Sequence, residues 1–181
     1  MPPAILEPEA HSVPRWQPNG SRWAALGFLI GGGLLYSAIT GWRDSHGLLI
    51  NASDSLPNWA FVIHKTAVPR RGEYVFFVPP TGSLLVRHFG AKKQLFGKIV
   101  YGLPGETVAH IGADVVVNGR VVGRMKQRTR MGEPLAAGPT GVIPPGCYYV
   151  GSPHKDGFDS RYAEIGFACA RQIFGVGKAI L

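Results

Sequence analysis

Residues 23–42, WAALGFLIGGGLLYSAITGW, contain no charged side chain, begin and end on tryptophan, and are bracketed by Arg22 and Arg43. About twenty residues rising about 1.5 Å each span the hydrocarbon core of a bilayer as one helix. Tryptophan at both ends suits the two interfacial belts. A helix of this length buried in a soluble core would keep a polar stripe, and this segment has almost none. A cleavable export signal is the rival reading, because Ser37, Ala38, Thr40 and Gly41 are small. The run is longer than the apolar stretch of such signals, which favours an uncleaved anchor. Gly27 and Gly31 form a weak GxxxG spacing that could pack two such helices. Arg15 and Arg22 before the segment, against Arg43 and Asp44 after it, place the slight positive excess at the N-terminal side. The N-terminus is therefore expected in the cytoplasm and the rest of the chain on the far side of the membrane.

Around this anchor the chain divides simply. Residues 1–22, with Pro2, Pro3, Pro8, Pro14 and Pro18 and no apolar period, are expected to be a flexible tail. From residue 47 to 181 the pattern changes to short apolar runs bounded by turn residues, and the 25 glycines and 15 prolines favour strands and turns over long helices. Strands are predicted over 74–78, 84–87, 99–101, 107–111, 115–117 and 147–150. Asn118-Gly119, between VVV and RVV, is the strongest hairpin signal, since both residues tolerate the positive φ of a type I′ turn. The expected fold is mostly β: a single β domain of about 130 residues behind one N-terminal transmembrane helix. No internal repeat is present.

The net charge of +8 suits anionic partners such as membrane surfaces or nucleic acid, and equally a plain solvated basic surface. Cys147 and Cys169 are too few and too far apart for a zinc framework, and no metal or cofactor is expected. In an exported domain the pair permits one disulfide, but two free buried thiols would read the same way.

Chemistry has to come from a nucleophile and a base. Ser55, in NASDSLPNW, lies about a dozen residues beyond the anchor in a turn set by Asp54 and Pro57. A hydroxyl is a weak nucleophile that needs a base beside it and donors for the oxyanion. None of the six histidines (His11, His46, His64, His88, His110, His154) is tied to a serine by a motif, although a fold can assemble a triad from distant residues. A lysine is the alternative, and it must be buried in apolar surroundings to be neutral near pH 7. Lys92, Lys93, Lys126 and Lys155 sit in polar stretches. Lys98, in QLFGKIVYGLPG, has Leu95, Phe96, Ile99, Val100 and Tyr101 around it. Such a lysine either snorkels along an edge or is held inward for a purpose.

S-x-P shortly after an anchor, an RGE-Y-V-F-F strand, K-x-V-x-G-L-P-G-E and a late G-x-x-x-x-x-x-F-D-S-R-Y occur in that order. Together they resemble the type I signal peptidase family, the membrane-bound Ser/Lys peptidases. Within it the chain is most similar to the TraF-type peptidases of conjugative plasmid transfer, through its small size, Pro79-Pro80 after the strand, and Ser-Leu-Pro in the serine box. The resemblance covers about residues 47–181. It implies Ser55 as nucleophile and Lys98 as general base. Ser53 and the Ser55 backbone N–H would form the oxyanion hole. Gly102, Leu103, Pro104 and Gly105 match the turn after the lysine strand. Ser160 would orient the lysine head and Asp159 would pair with Arg161; Asp159 is also a weaker catalytic candidate, against a purely structural ion pair. Two positions depart from the family pattern: Ile99 replaces a basic residue, and Gly105-Glu106 stands where Gly-Asp is usual. The implied activity is hydrolysis of exported precursors with small side chains at −1 and −3. In the TraF-type branch the substrate is a pilin precursor, cleaved and in some cases cyclised.

Arg124, Lys126, Arg128 and Arg130 recur at period two, so on a strand they would share one face, a basic stripe for anionic headgroups or simply a solvated hairpin face. Two rivals to the peptidase remain. A self-cleaving repressor would need a DNA-binding helical domain where the anchor stands. A non-enzymatic, basic, membrane-tethered component of a transfer apparatus accounts for the charge but not for the order of the serine, lysine and late motifs.

Overall fold

The computed structural model describes residues 20–51 and 55–180, and the chain divides into two units, 1–41 and 42–181. The expected tail lies, up to residue 19, outside the described residues. Helix α1 (Gly20–Ser45) contains the whole apolar segment, and none of its residues is buried within the protein. Among the described residues it is the one helix long and apolar enough to cross a membrane. Arg43 in its last turn complements the negative end of the helix dipole.

The second unit is mostly β. Its strands are β1 (His46–Ile50), β2 (Ala60–His64), β3 (Tyr74–Phe77), β4 (Phe96–Gly102), β5 (Thr107–Ile111), β6 (Asp114–Val117), β7 (Arg120–Arg124), β8 (Gly141–Val142), β9 (Cys147–Gly151), β10 (Ala168–Cys169) and β11 (Ile173–Ala179). Among the described residues they form a seven-stranded sheet in the order β1-β2-β11-β3-β4-β9-β10 and a four-stranded sheet in the order β7-β6-β5-β8. The Asn118-Gly119 turn joins β6 to β7 with φ of 48° and 78°, the positive values the type I′ turn requires.

Alternation along the strands divides the core. On β3, Val75 and Phe77 face a cluster with Phe96, Val100 and Val150, while Phe76 faces the opposite side with Leu56, Phe61 and Ile63. Cys147 and Tyr149 of β9 pack with Val108, Val115, Val117 and Ile143 of the smaller sheet. The two cysteines, directly opposite on β9 and β10, are joined in a disulfide.

Two expectations fail. Residues 84–87 are not a strand but part of helix α2 (Ser83–Phe89). Leu84 and Leu85 are both buried, which adjacent residues of a strand with one covered face cannot achieve but neighbours on a helix can. The basic stripe also dissolves, because β7 stops at Arg124 and the chain beyond it is irregular. There the ends diverge: Arg124 reaches Asp114, Arg128 donates to the Gly132 carbonyl (2.7 Å), and Lys126 and Arg130 both turn to Asp156. Conversely, β11 was unread in the sequence because its glycines look like a loop. A β-carbon on Gly175 would come 2.6 Å from the His64 carbonyl, and one on Gly177 would enter the Phe76 ring, so the glycines are what admit β11 between β2 and β3.

Candidate active site

Strand β4 carries Lys98 inward. Its burial alternates strictly, with Phe96, Lys98, Val100 and Gly102 on the covered side, and Lys98 is 4 % exposed. Lys98 pairs with Val75 of β3, whereas pairing with β9 begins only at Ile99. The β9-side edge of β4 is thus unpaired by a strand at Lys98, where a cavity opens. The ammonium lies 5.9 Å from the centroid of the Phe96 ring.

This environment acts on the amine in a definite direction. Burial holds the Lys98 pKa below its ordinary 10.5; the Asp159 carboxylate opposes the shift and the Arg161 guanidinium reinforces it. Removing a cation from water penalises its charged form. Among the described residues Lys98 forms no ion pair, because the nearby carboxylate is engaged elsewhere.

Ser55 lies in the turn between β1 and β2, half-buried. That turn is laced from inside by Asn51: its backbone N–H donates to the Trp59 carbonyl (2.7 Å) and its side-chain amide to the carbonyls of Asn58 (3.1 Å) and Leu56 (3.4 Å). Leu56, only 5 % exposed, plugs the turn into the core beside Phe61, Ile63 and Phe76. Ser55 and Lys98, 43 positions apart in the chain, line the same cavity of about 610 Å³. Ser53, expected at the oxyanion hole, and Asp54 lie outside the described residues.

The late motif forms a buried polar knot behind the cavity. Arg161 grips Asp159 with both arms of its fork, Nε to Oδ1 and Nη2 to Oδ2, each at 2.8 Å. Asp159 is fully buried and accepts further from the Ser152 backbone N–H (3.1 Å). Arg161 also donates to the carbonyls of Gly157 (2.9 Å), His154 (3.2 Å) and Arg124 (3.3 Å). The pair therefore ties down the segment whose His154, Asp156, Gly157 and Phe158 wall the cavity. A β-carbon on Gly157 would run into Ser152 Oγ and come 2.6 Å from Arg161 Nη2, so this packing needs glycine. Ser160 is fully buried; its hydroxyl accepts from the Val150 N–H (3.0 Å), and no hydrogen bond joins it to Lys98.

Gly102, Leu103, Pro104 and Gly105 make the turn from β4 toward β5, with Gly105 at φ 86°. Glu106 closes it by accepting from the Leu103 N–H (2.8 Å), and it pairs with Arg71. This turn lies off the cavity lining, which gives it a structural place in the site rather than a chemical one.

Sequence reasoning passed over Asn51, Ser152 and Asp156; it named His154 only among the six histidines and Phe158 only as a motif position, and gave neither a place in the site. Ser152, His154 and Asp156 fall among the unspecified positions of the late motif, and only their spacing to Phe158 and Asp159 could have pointed to them. The arrangement as a whole offers a hydroxyl and a desolvated amine on one cavity, with a rigid polar knot behind it. This is the equipment for acyl transfer.

A family model described as signal peptidase, peptidase S26, matches residues 22–181. No curated protein matches the chain. Among solved structures, a signal peptidase I from Enterococcus faecalis V583 is similar at 23 % identity, over 61 % of this chain and 97 % of that one, with a TM-score of 0.37.

Proposed function

The chain belongs to the peptidase S26 family of signal peptidases and is a serine peptidase, and we propose on that premise that Ser55 and Lys98 are its catalytic pair. The observation that carries this reading is Lys98 itself, a lysine buried in an apolar strand and lining one cavity with Ser55. Neutral Lys98 takes the Ser55 proton as Ser55 Oγ attacks the scissile carbonyl. The oxyanion is held by the Ser55 backbone N–H and the Ser53 hydroxyl. Lys98 then protonates the leaving amine and activates the water that releases the acyl group. Asp159 and Arg161 act as positioning residues, through the cavity wall and through the field they set at Lys98. Ser160 holds the β9 backbone beside the lysine strand.

The protein substrate would lie along the open edge of β4, where main-chain groups beside Lys98 have no strand partner. Helix α1 would anchor the enzyme in the inner membrane with residues 47–181 on the periplasmic side. Leu48, Ile50 and Trp59, exposed apolar side chains of the β1–β2 hairpin, are suited to work close to lipid. Membership in a peptidase family sets aside the non-enzymatic rival. The narrower reading is that the substrate is a pilin precursor in conjugative transfer; its support is the small size of the chain, Pro79-Pro80 after the strand and Ser-Leu-Pro in the serine box.

The test is the mass of the mature pilin in cells carrying wild-type protein, Ser55→Ala or Lys98→Ala. Both variants should reach the membrane and leave the precursor unprocessed, and a mature wild-type product short by one water would add cyclisation. Processing that continues in both variants would end the pilin assignment.

A further inference from the structure

A second cavity, of about 300 Å³, adjoins the first and shares Phe89, His154, Asp156 and Phe158 with it. Its outer wall is the irregular segment after β7, which brings Lys126, Arg128 and Arg130 to the rim. Among the lining residues three cations face one carboxylate, Asp156; Glu133, held by His88 and Thr129 of the wall, is also paired with Arg87, so the rim keeps a positive excess at neutral pH.

Asp156 does more than neutralise. Its side chain is 14 % exposed and binds Lys126 through one oxygen and Arg130 through the other, with Arg130 Nη2 at 2.7 Å and Nε at 3.0 Å. One carboxylate therefore orders two cations without saturating them. Arg130 keeps Nη1 free of that contact, and the Lys126 ammonium has three donors, of which Asp156 takes one. The segment is fixed from beneath as well: the Lys126 backbone N–H donates to the Tyr162 hydroxyl (3.1 Å), and Tyr162 stacks on Phe158 with ring centroids 5.6 Å apart. The result is a preordered set of donors in a cavity that shares the Phe89 and Phe158 side of its wall with the cavity lined by Ser55 and Lys98.

We propose that this second cavity is a substrate subsite for an acidic side chain, an Asp or Glu of the peptide lying a few residues from the scissile bond. The proposal rests on Ser55 and Lys98 being the catalytic pair, since that is what puts the neighbouring cavity on the path of a bound peptide. An extended peptide advances about 3.3 Å per residue and alternates its side chains, so only certain positions would present their side chain to the rim. Continuity with the catalytic cavity favours peptide over lipid as the source of the anion.

The experiment uses the purified full chain in detergent micelles and short synthetic peptides with alanine at −1 and −3. The peptides carry Glu or Gln at each remaining position in turn. Wild-type protein should cleave one Glu peptide about fivefold faster in kcat/KM than its Gln partner, the size expected of partly exposed charge pairs, and the ratio should shrink with added salt. Lys126→Gln/Arg130→Gln should bring that ratio close to one. Arg128→Glu/Arg130→Glu should favour a Lys peptide at the same position. Arg120→Gln, at the exposed start of β7 and off the cavity lining, should leave the ratio as in wild type. Ser55-dependent cleavage with no Glu preference anywhere overturns the subsite while leaving the peptidase reading standing. Loss of binding to anionic phospholipid vesicles in the Gln variant, with the peptide ratio unchanged, assigns the rim to lipid and overturns it too. No Ser55-dependent cleavage of any peptide overturns the catalytic reading, and the subsite with it.

Discussion

Leu56 fills the space where a β-carbon on Gly97 would stand: its Cδ1 is 3.0 Å from that position, with Phe76 Cε1 at 2.7 Å. The residue after Ser55 is thereby seated on the residue before Lys98. Gly97 is a glycine because the nucleophile turn must approach the lysine strand this closely. Gly97→Ala should lower stability by about 1–3 kcal/mol through overpacking. It should also displace the Ser55 turn and reduce kcat/KM by about 10- to 100-fold. Thermal unfolding and peptide cleavage measured on one preparation check both. Wild-type activity in a folded Gly97→Ala protein would detach this contact from catalysis.

Lys98 is held in the core at the expense of stability. Below pH 10.5 the unfolded chain takes up the lysine proton more readily than the folded one, so stability falls as pH drops from 10.5 toward the lowered folded pKa. Lys98→Met removes that cost. Its Tm should exceed the wild-type value at neutral pH, and the gain should shrink as the pH approaches 10.5. Cleavage should fall at least about a thousandfold. A Tm below wild type at pH 7 would mean that the amine is solvated.

The same amine sets the pH profile. Because the base must be neutral, kcat/KM should rise with pH along a limb whose midpoint lies below 10.5. Asp159 raises the Lys98 pKa and Arg161 lowers it. Asp159→Asn should therefore shift the limb toward lower pH and Arg161→Gln toward higher pH. Opposite shifts identify the pair as an electrostatic control on Lys98; an unmoved limb in both would reduce it to scaffolding.

That pair is also structural. Arg161→Ala leaves the fully buried Asp159 without its cation and should cost about 3–5 kcal/mol. The apolar double variant Asp159→Leu/Arg161→Met should cost less than the single one, since no charge is stranded. Urea denaturation of the two proteins makes the comparison.

The Cys147–Cys169 bridge closes a 22-residue separation that contains the cavity wall and the Asp159–Arg161 knot. Cys147→Ser/Cys169→Ser should lower stability by about 3 kcal/mol. Reductant should lower the wild-type Tm by a similar amount and leave the variant unchanged. Equal response of both proteins to reductant would contradict the bridge.

Features that depend on neighbours in the chain were readable before any fold was known. An uncharged apolar run can satisfy its backbone only as a helix in lipid, and it forms α1. Asn118-Gly119 accepts the positive φ a tight hairpin demands, and the turn is there. The ordered serine, lysine and late motifs led to the signal peptidase family. Where local signals were ambiguous the reading failed: Leu84 and Leu85 form a helix, and the glycine-broken β11 reads as loop.

Whether Lys98 is buried was never a local property. Alternation puts it on one face with Phe96 and Val100, but only β3, β9 and the layer over them make that face the inside. The disulfide needed β9 and β10 to come side by side, and the basic stripe was unmade by Asp156, 26 residues from Arg130. Sequence alone determined the uncharged apolar helix segment, the β alternation and the family, because these follow from covalent order and periodicity. Tertiary structure decided which lysine loses its water and which carboxylate meets which cation, because desolvation and charge pairing depend on distances that only the closed chain sets.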